Sequence, residues 1–414
     1  MSQRSAHLPA TCTDAVRQDG HAHWLDLARV RAYSGAFLIL FGAFLLSWGW
    51  VTKGFTDTAV SRPGTDFAVF WSASHLALSQ GPLQAYDAHS LAEVMAEYGP
   101  LAAGSTVVLP WLYPPTFLLV VMPLSLISLA ASYLLFLIGT GYVYFRSIST
   151  LLATHGFWRR GAWLPVLASP ATLITALMGQ NSLLTAGLAA SAVYCVDRRP
   201  IIAGVLIGLL AIKPQLAMLF PLALIAVRAW RALLSAAVTA AVFFALSVAV
   251  CGWETVPAFM EKTQWVRAHY IEDGAAVWYG MATPLAAARL AGASIPVAYA
   301  AHTVTALAGA VAMGFVWSRT PEVGLRVAAV AIATMLAIPY LRCYELTWLC
   351  IALAGVVGYG IRHGLSGAER GLLVLAWLLP LYEQANPYLK LPQIGPLVLA
   401  AMMLLIVSRV ARRG

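Results

Sequence analysis

Asp66 is the carboxylate in this sequence best placed to do chemistry. It lies in Pro63-Gly64-Thr65-Asp66-Phe67, with Gly81-Pro82 and Tyr86-Asp87 close behind. Its nearest charged neighbour is Arg62, four positions back, while Phe67, Phe70, Trp71 and Tyr86 give it an aromatic setting. Partial drying raises a carboxylate's pKa toward the range where a general base works. Further polar residues interrupt apolar stretches at Gln180-Asn181, Lys213-Pro214-Gln215, Arg342 with Glu345, and Tyr382-Glu383-Gln384 with Asn386. An ionisable side chain at membrane depth costs on the order of a few kcal/mol, so such residues usually line a site or cavity. Each also has a plainer reading. Gln180-Asn181 reads equally as a turn. Lys213 either offers a point charge to a phosphate or snorkels to the interface. Arg342 and Glu345, three apart, either pair on one helix face or leave Arg342 free for a phosphate. Asp87 reads as a helix cap, and His75 and His89 as surface residues. Trp253, Trp265 and Trp278 read as an interfacial belt or a sugar-stacking surface.

The elements that must hold these groups are membrane spans. Of 414 residues, 60% are hydrophobic and only 10% charged, and mean hydropathy is +0.77. Soluble domains carry about a quarter charged residues, so the shortage of charge sets the class as an all-α polytopic membrane protein. Residues 1–31 read as a polar cytoplasmic tail with no visible signal peptide, and 32–414 as one membrane domain. Within it, 52–109 form a large first outer loop carrying interfacial helices at Phe67–Leu78 and Leu91–Tyr98, and 252–293 form a second outer segment. Expected spans are Tyr33–Val51, one crossing within Leu112–Phe145, Ala162–Leu177, Ser182–Val196, Ile201–Ile212, Leu216–Val227, Leu233–Val250, Ile295–Trp317, Val327–Tyr340, Cys343–Gly360, Leu372–Tyr382 and Ile394–Val407. These make twelve.

Twelve spans put both termini on one side, together with eighteen of the twenty-six basic residues and six of the seventeen acidic ones. By the positive-inside rule that side is cytoplasmic, which places Asp66 and the polar interruptions outside. The formal charge of +9 is then a topological signal and points to no nucleic-acid partner. The five cysteines (Cys12, Cys195, Cys251, Cys343, Cys350) lack metal or disulfide spacing. A phosphate-binding glycine loop, a nucleophile elbow and a soluble nucleotide domain are also absent, which excludes an ATP-driven pump on one chain.

The order Asp66-Phe67 with Trp71, Gly81, Tyr86-Asp87, Tyr113-Pro114-Pro115, Gly179-Gln180-Asn181, then Gly204 through Lys213-Pro214-Gln215 resembles glycosyltransferase family 87. The resemblance is fullest from Gly64 to Arg231. Tyr279-Gly280-Met281-Ala282-Thr283 and Ile338-Pro339-Tyr340-Leu341-Arg342-Cys343-Tyr344-Glu345 depart from the family's pattern. The resemblance implies a GT-C fold, in a class that includes polyprenyl-phosphate-mannose-dependent mannosyltransferases and arabinofuranosyltransferases. By that resemblance Asp66 is the catalytic base. Lys213 and Arg342 are then expected to bind the donor phosphate, and Tyr86, Tyr113, Gln180, Asn181, Gln215 and Glu345 to contact substrate. The expected partners are a polyprenyl-phosphate sugar donor, a lipid or glycan acceptor and membrane lipids, with no metal or cofactor. The expected location is the inner (plasma) membrane, with the site facing outward. A transporter or lipid flippase is the alternative, although a pathway would spread ionisable residues through its whole length.

Overall fold

The computed structural model describes residues 26–55, 57, 61–100, 109–153 and 161–412. The polar tail before Asp26, with its histidines and Cys12, and the basic pair Arg159-Arg160 lie outside them. The chain is helical, and the described residues contain no strand, only an isolated antiparallel bridge between Met281 and Arg342. The N-terminal part runs α1 (Leu27–Val51), α2 (Thr65–Ser79), α3 (Ala88–Tyr98), α4 (Pro115–Val121), α5 (Leu129–Ala153), α6 (Trp163–Leu167), α7 (Pro170–Met178) and α8 (Ser182–Cys195). Next come α9 (Pro200–Gly208), α10 (Pro214–Ala217), α11 (Phe220–Ala226), α12 (Trp230–Cys251), α13 (Thr255–Val266), α14 (Ala275–Trp278) and α15 (Pro284–Leu290). The C-terminal part is α16 (Ile295–Arg319), α17 (Val323–Ala337), α18 (Thr347–His363), α19 (Gly367–Leu389) and α20 (Gly395–Ala411).

Local chemistry explains many of the boundaries. Asp26 caps α1, its carboxylate accepting from the Arg29 N–H at 2.8 Å, so the first helix begins six residues before the expected Tyr33. Asp87 caps α3 in the same way through Ser90 N–H, the role its position after Gly81-Pro82 implied. Proline opens α4, α7, α9, α10 and α15, where its missing N–H costs nothing. Two expected spans are divided. Ala162–Leu177, expected as one span, breaks at Ser169-Pro170 into α6 and α7, and Leu216–Val227 becomes parts of α10 and α11.

Five helical stretches are long and apolar enough to cross a membrane: α1, α5, α12, α16 and Cys343–His363. They fit a membrane protein, but the twelve expected crossings do not correspond to twelve long helices. One expectation fails in the other direction. Leu372–Tyr382 lengthens to the 23-residue α19, which continues through Pro380 and Pro387. Glu383 and Asn386 therefore lie on a helix and not in a turn.

The core is built on α17, buried on every side from Leu325 to Leu336, which is the pattern of a helix enclosed by others. It packs against α18 so closely that a Cβ on Gly324 would lie 2.7 Å from the Gly355 carbonyl oxygen. Gly204 and Gly208 give α9 the same intimacy with α12, a small-residue contact of the kind membrane helices use. Polar side chains lash the centre together: Thr175 to Thr347 at 2.8 Å and Trp348 Nε1 donating to Thr185 at 3.1 Å.

The bundle has two chemically distinct ends. The far ends of α8, α17, α18, α19 and α20 carry ion pairs: Arg326 with Asp197 (3.0 Å), Arg362 with Glu322 (2.6 Å), and Arg409 with Glu369. The opposite ends of these helices carry Glu383, on α19, and lead into the turns holding Asn181, Arg342 and Glu345.

Candidate active site

Asp66 occupies the first turn of α2, which starts from Gly64 in the left-handed region (φ 87°). The Gly64 N–H donates to the Leu177 carbonyl at 2.8 Å, stitching this turn to the end of α7. Helix α7 ends at Gly179 (φ 75°), where a Cβ would collide with the Phe67 side chain and lie 2.8 Å from the Tyr133 ring. Only glycine fits there, because the backbone is left-handed and the space is already filled. The close approach brings Gln180 onto Asp66: Gln180 Nε2 donates to Asp66 Oδ2 at 2.8 Å. Tyr113 O–H donates to Gln180 Oε1 at 2.9 Å, which fixes the amide orientation. Tyr86 in turn donates its hydroxyl to the Tyr113 carbonyl at 2.9 Å.

Lys213 reaches the same place from the turn between α9 and α10. Thr116 donates to the Ala211 carbonyl at 2.7 Å and holds that turn against α4. Lys213 Nζ lies 5.2 Å from the Tyr113 ring centre and 5.6 Å from that of Tyr344, and it donates to Glu345 Oε1 at 2.5 Å. The side chains of this pair are only 7% and 10% exposed. Glu345 thus pairs with Lys213, not with Arg342. Arg342 is extended (φ −91°, ψ 163°) before the short 3-10 helix Cys343–Leu346, so the i,i+3 geometry of a helix face does not arise. Its backbone bridges to Met281, and its Nη1 lies 3.0 Å from where a Cβ on Gly280 would stand. Any side chain at 280 would press on the guanidinium. Arg342 has no ion-pair partner among the described residues and stays half-buried.

Asp66 keeps partial solvent access although protein surrounds it. Burial pushes its carboxyl above the usual carboxylate range, against the Gln180 hydrogen bond and the positive charges of Arg342 and Lys213. Asn181 is fully buried, and neither its amide oxygen nor its nitrogen has a hydrogen-bond partner among the described residues. Buried amides are normally satisfied, so these atoms are open to a water or substrate group. The arrangement offers a desolvated base, an oriented amide and a free guanidinium within one group of turns.

Two of the expected substrate residues stand apart. Gln215 is exposed beyond the Lys213 turn. Tyr86 is 5% exposed and acts through its bond to Tyr113, as a support for the wall. Sequence reasoning overlooked Tyr133, which donates to the Ala176 carbonyl at 2.5 Å and braces the Gly179 turn. Its only signal was an aromatic residue inside an apolar span. Tyr344, under Lys213, carried the better clue of adjacency to Glu345. Glu383 is buried and accepts from Gln393 Nε2 at 2.9 Å, while Gln393 also donates to the Tyr279 carbonyl at 3.3 Å behind Arg342. Open hollows of about 500 Å³ by His363 and Arg409 and about 710 Å³ by Trp50 and Lys53 lie away from Asp66, so chemistry and not hollow size marks the site.

A helical chain with five stretches long and apolar enough to cross a membrane fits a membrane protein, and its buried carboxylate and cations gather at one end of the bundle. The model of glycosyltransferase family 87 matches residues 111–339, over half of the chain, and the protein belongs to that family of glycosyltransferases. The match covers Tyr113, Gln180, Asn181, Lys213 and Gln215. It begins after Asp66, ends just before Arg342, and runs further into the second half than the motif order does. Neither the curated proteins nor the solved structures provide a match. Membership implies a sugar donor and an acceptor.

Proposed function

We propose that the protein transfers a sugar, mannose or another hexose, from a polyprenyl-phosphate donor to a lipid or glycan acceptor on the non-cytoplasmic face of the membrane. The termini are cytoplasmic in this reading. Asp66 removes the acceptor hydroxyl proton as that oxygen attacks the anomeric carbon. The bond from this carbon to the phosphate oxygen breaks, and polyprenyl phosphate leaves with the electron pair. A single displacement inverts the anomeric centre. Arg342 meets the charge developing on the phosphate with a fork of N–H donors. Lys213, already compensated by Glu345, shapes the Tyr113–Tyr344 wall beside it. Gln180 orients Asp66, and Asn181 supplies open hydrogen-bonding groups to the sugar.

The observation that carries this reading is the convergence on Asp66. Four turns far apart in sequence meet at a desolvated carboxylate, with an unpaired arginine in electrostatic reach. The buried apolar stretch of α17 separates this end from the ion-paired end, which supports a one-sided enzyme over a transport pathway.

The test is transfer by the purified full chain in lipid nanodiscs, with a radiolabelled polyprenyl-phosphate hexose or a nucleotide sugar as donor and envelope lipids as acceptor. Label should pass from the lipid donor alone. Transfer from the nucleotide sugar only, or movement of intact lipid across the bilayer without bond cleavage, would overturn the proposal. With the lipid donor, Arg342→Gln should lower kcat/KM by about 10²–10³-fold, the scale for losing a transition-state donor. Arg342→Lys, which keeps the charge but loses the fork, should fall between that variant and wild type. Equal activity of all three would remove Arg342 from the site.

A further inference from the structure

A row of aromatic side chains runs from the surface of the second outer segment to the Asp66 site. His269 stacks on Trp265 with ring centres 4.5 Å apart at 16°. Trp265 meets Tyr270 edge-on at 5.1 Å, and Tyr270 stacks on Tyr340 at 5.7 Å and 15°. His269 is exposed and the other three are half-buried, so the row is neither core nor free surface. Its inner end is tied to the chemistry: Tyr340 lies two residues before Arg342, and the charges of Arg342 and Asp66 both act on it. Its outer members come from the end of α13 and the π-helical turn Arg267–Glu272, a widened turn of a kind that recurs at functional sites.

His269 Nδ1 lies 2.9 Å from the Trp265 carbonyl oxygen, but the other three polar tips make no bond to protein among the described residues. The hydroxyls of Tyr270 and Tyr340 and the indole N–H of Trp265 have no hydrogen-bond partner among the described residues. None of these three atoms is fully enclosed, so each is open to water or to a bound hydroxyl. Trp278 next door shows the contrast. It is buried, donates Nε1 to the Ile271 carbonyl at 3.0 Å and lies under the Arg289 guanidinium at 4.7 Å. Trp253 is 63% exposed and touches none of these rings.

We propose that Trp265, Tyr270 and Tyr340 form the subsite for the carbohydrate portion of the acceptor and lead its hydroxyl to Asp66. A pyranose presents C–H patches on its faces and hydroxyls around its rim, which calls for aromatic surface next to free O–H and N–H groups. A prenyl tail would leave the polar tips unsatisfied. A phosphate would need a cation: Arg267 in the row's own segment is bonded to Glu272 at 2.7 Å, and Arg342 at the inner end is given to the donor phosphate in the proposed reaction. The inference rests on the transferase reading of the Asp66 site and extends it to the acceptor.

Binding is measured with the full chain in nanodiscs carrying Asp66→Asn, so that nothing turns over, by calorimetric titration with mannotriose and separately with maltotriose. Saturable binding of at least one trisaccharide is expected. Adding Trp265→Ala or Tyr270→Ala should weaken it by about tenfold, and Tyr270→Phe, which keeps the ring but loses the hydroxyl, by about threefold. Thermal melting of each variant checks the fold. If an alanine variant does not fold, Trp265→Phe and Tyr270→Phe decide, and unchanged binding in both overturns the subsite. Absence of binding by either trisaccharide, or equal binding in Trp265→Ala, overturns it too. Transfer by the wild-type chain is assayed in parallel. Ring-dependent binding without any transfer would defeat the transferase reading alone, and transfer indifferent to these rings would defeat this inference alone.

Discussion

Asp66→Asn should reduce sugar transfer by about 10²–10⁴-fold, the span a positioned general base contributes, while the protein melts at the same temperature or slightly higher. The substitution keeps the side-chain volume, and an amide still offers an oxygen to Gln180 Nε2. The stability half follows from the sign of the pKa shift. Burial raises the Asp66 carboxyl above its unfolded value, so its proton favours the fold. That contribution is fully present below the unfolded pKa and is lost as pH rises through the folded one. Where the group is ionised in the folded chain its burial opposes folding, and asparagine removes that opposition. The activity half runs the other way with pH. A base must be unprotonated, so wild-type kcat/KM should fall on acidification with a midpoint above the usual carboxylate range. Near-normal transfer by Asp66→Asn, or an acid limb at an ordinary carboxylate pKa, would end the assignment.

The second large effect is on the Lys213–Glu345 pair. Removing one partner of a buried ion pair strands the other charge and typically costs about 3–5 kcal/mol. Glu345→Leu and Lys213→Met should each destabilise on that scale, measured by unfolding in mixed micelles. Glu345 Oε2 already lacks a partner among the described residues, so loss of Lys213 leaves the whole carboxylate bare. Lys213→Met combined with Glu345→Leu should recover most of the loss, giving a coupling energy in a double-mutant cycle. The same double variant decides what Lys213 does. With the pair acting as a post under the Tyr113–Tyr344 wall, transfer in the double variant should stay within about tenfold of wild type, well short of the 10²–10³-fold expected for a lost phosphate contact. A stable double variant as inactive as Arg342→Gln would instead put Lys213 on the donor phosphate.

The membrane class and the turns at Gln180, Lys213 and Arg342 were legible in the sequence. They depend on local matters: charge scarcity, apolar run length, and prolines or glycines next to polar residues. The ordered motifs also carried the family, which the match over 111–339 establishes. Span counting was less successful, because run length cannot show that the chain breaks at Ser169-Pro170 or between α10 and α11. Nor could it show that α19 would run on through Pro380 and Pro387.

For Asp66 itself, the sequence determined the residue type, its aromatic neighbours and its isolation from charge. Only the tertiary structure decided its partners. Gln180 Nε2 is bonded to it because Gly64 and Gly179 let two backbones close to contact. Glu345 went to Lys213 because Arg342 is held extended by its bridge to Met281, so sequence spacing no longer governs which charges meet. Pairing across more than a hundred residues is set by packing, and packing is not written in any single stretch of chain.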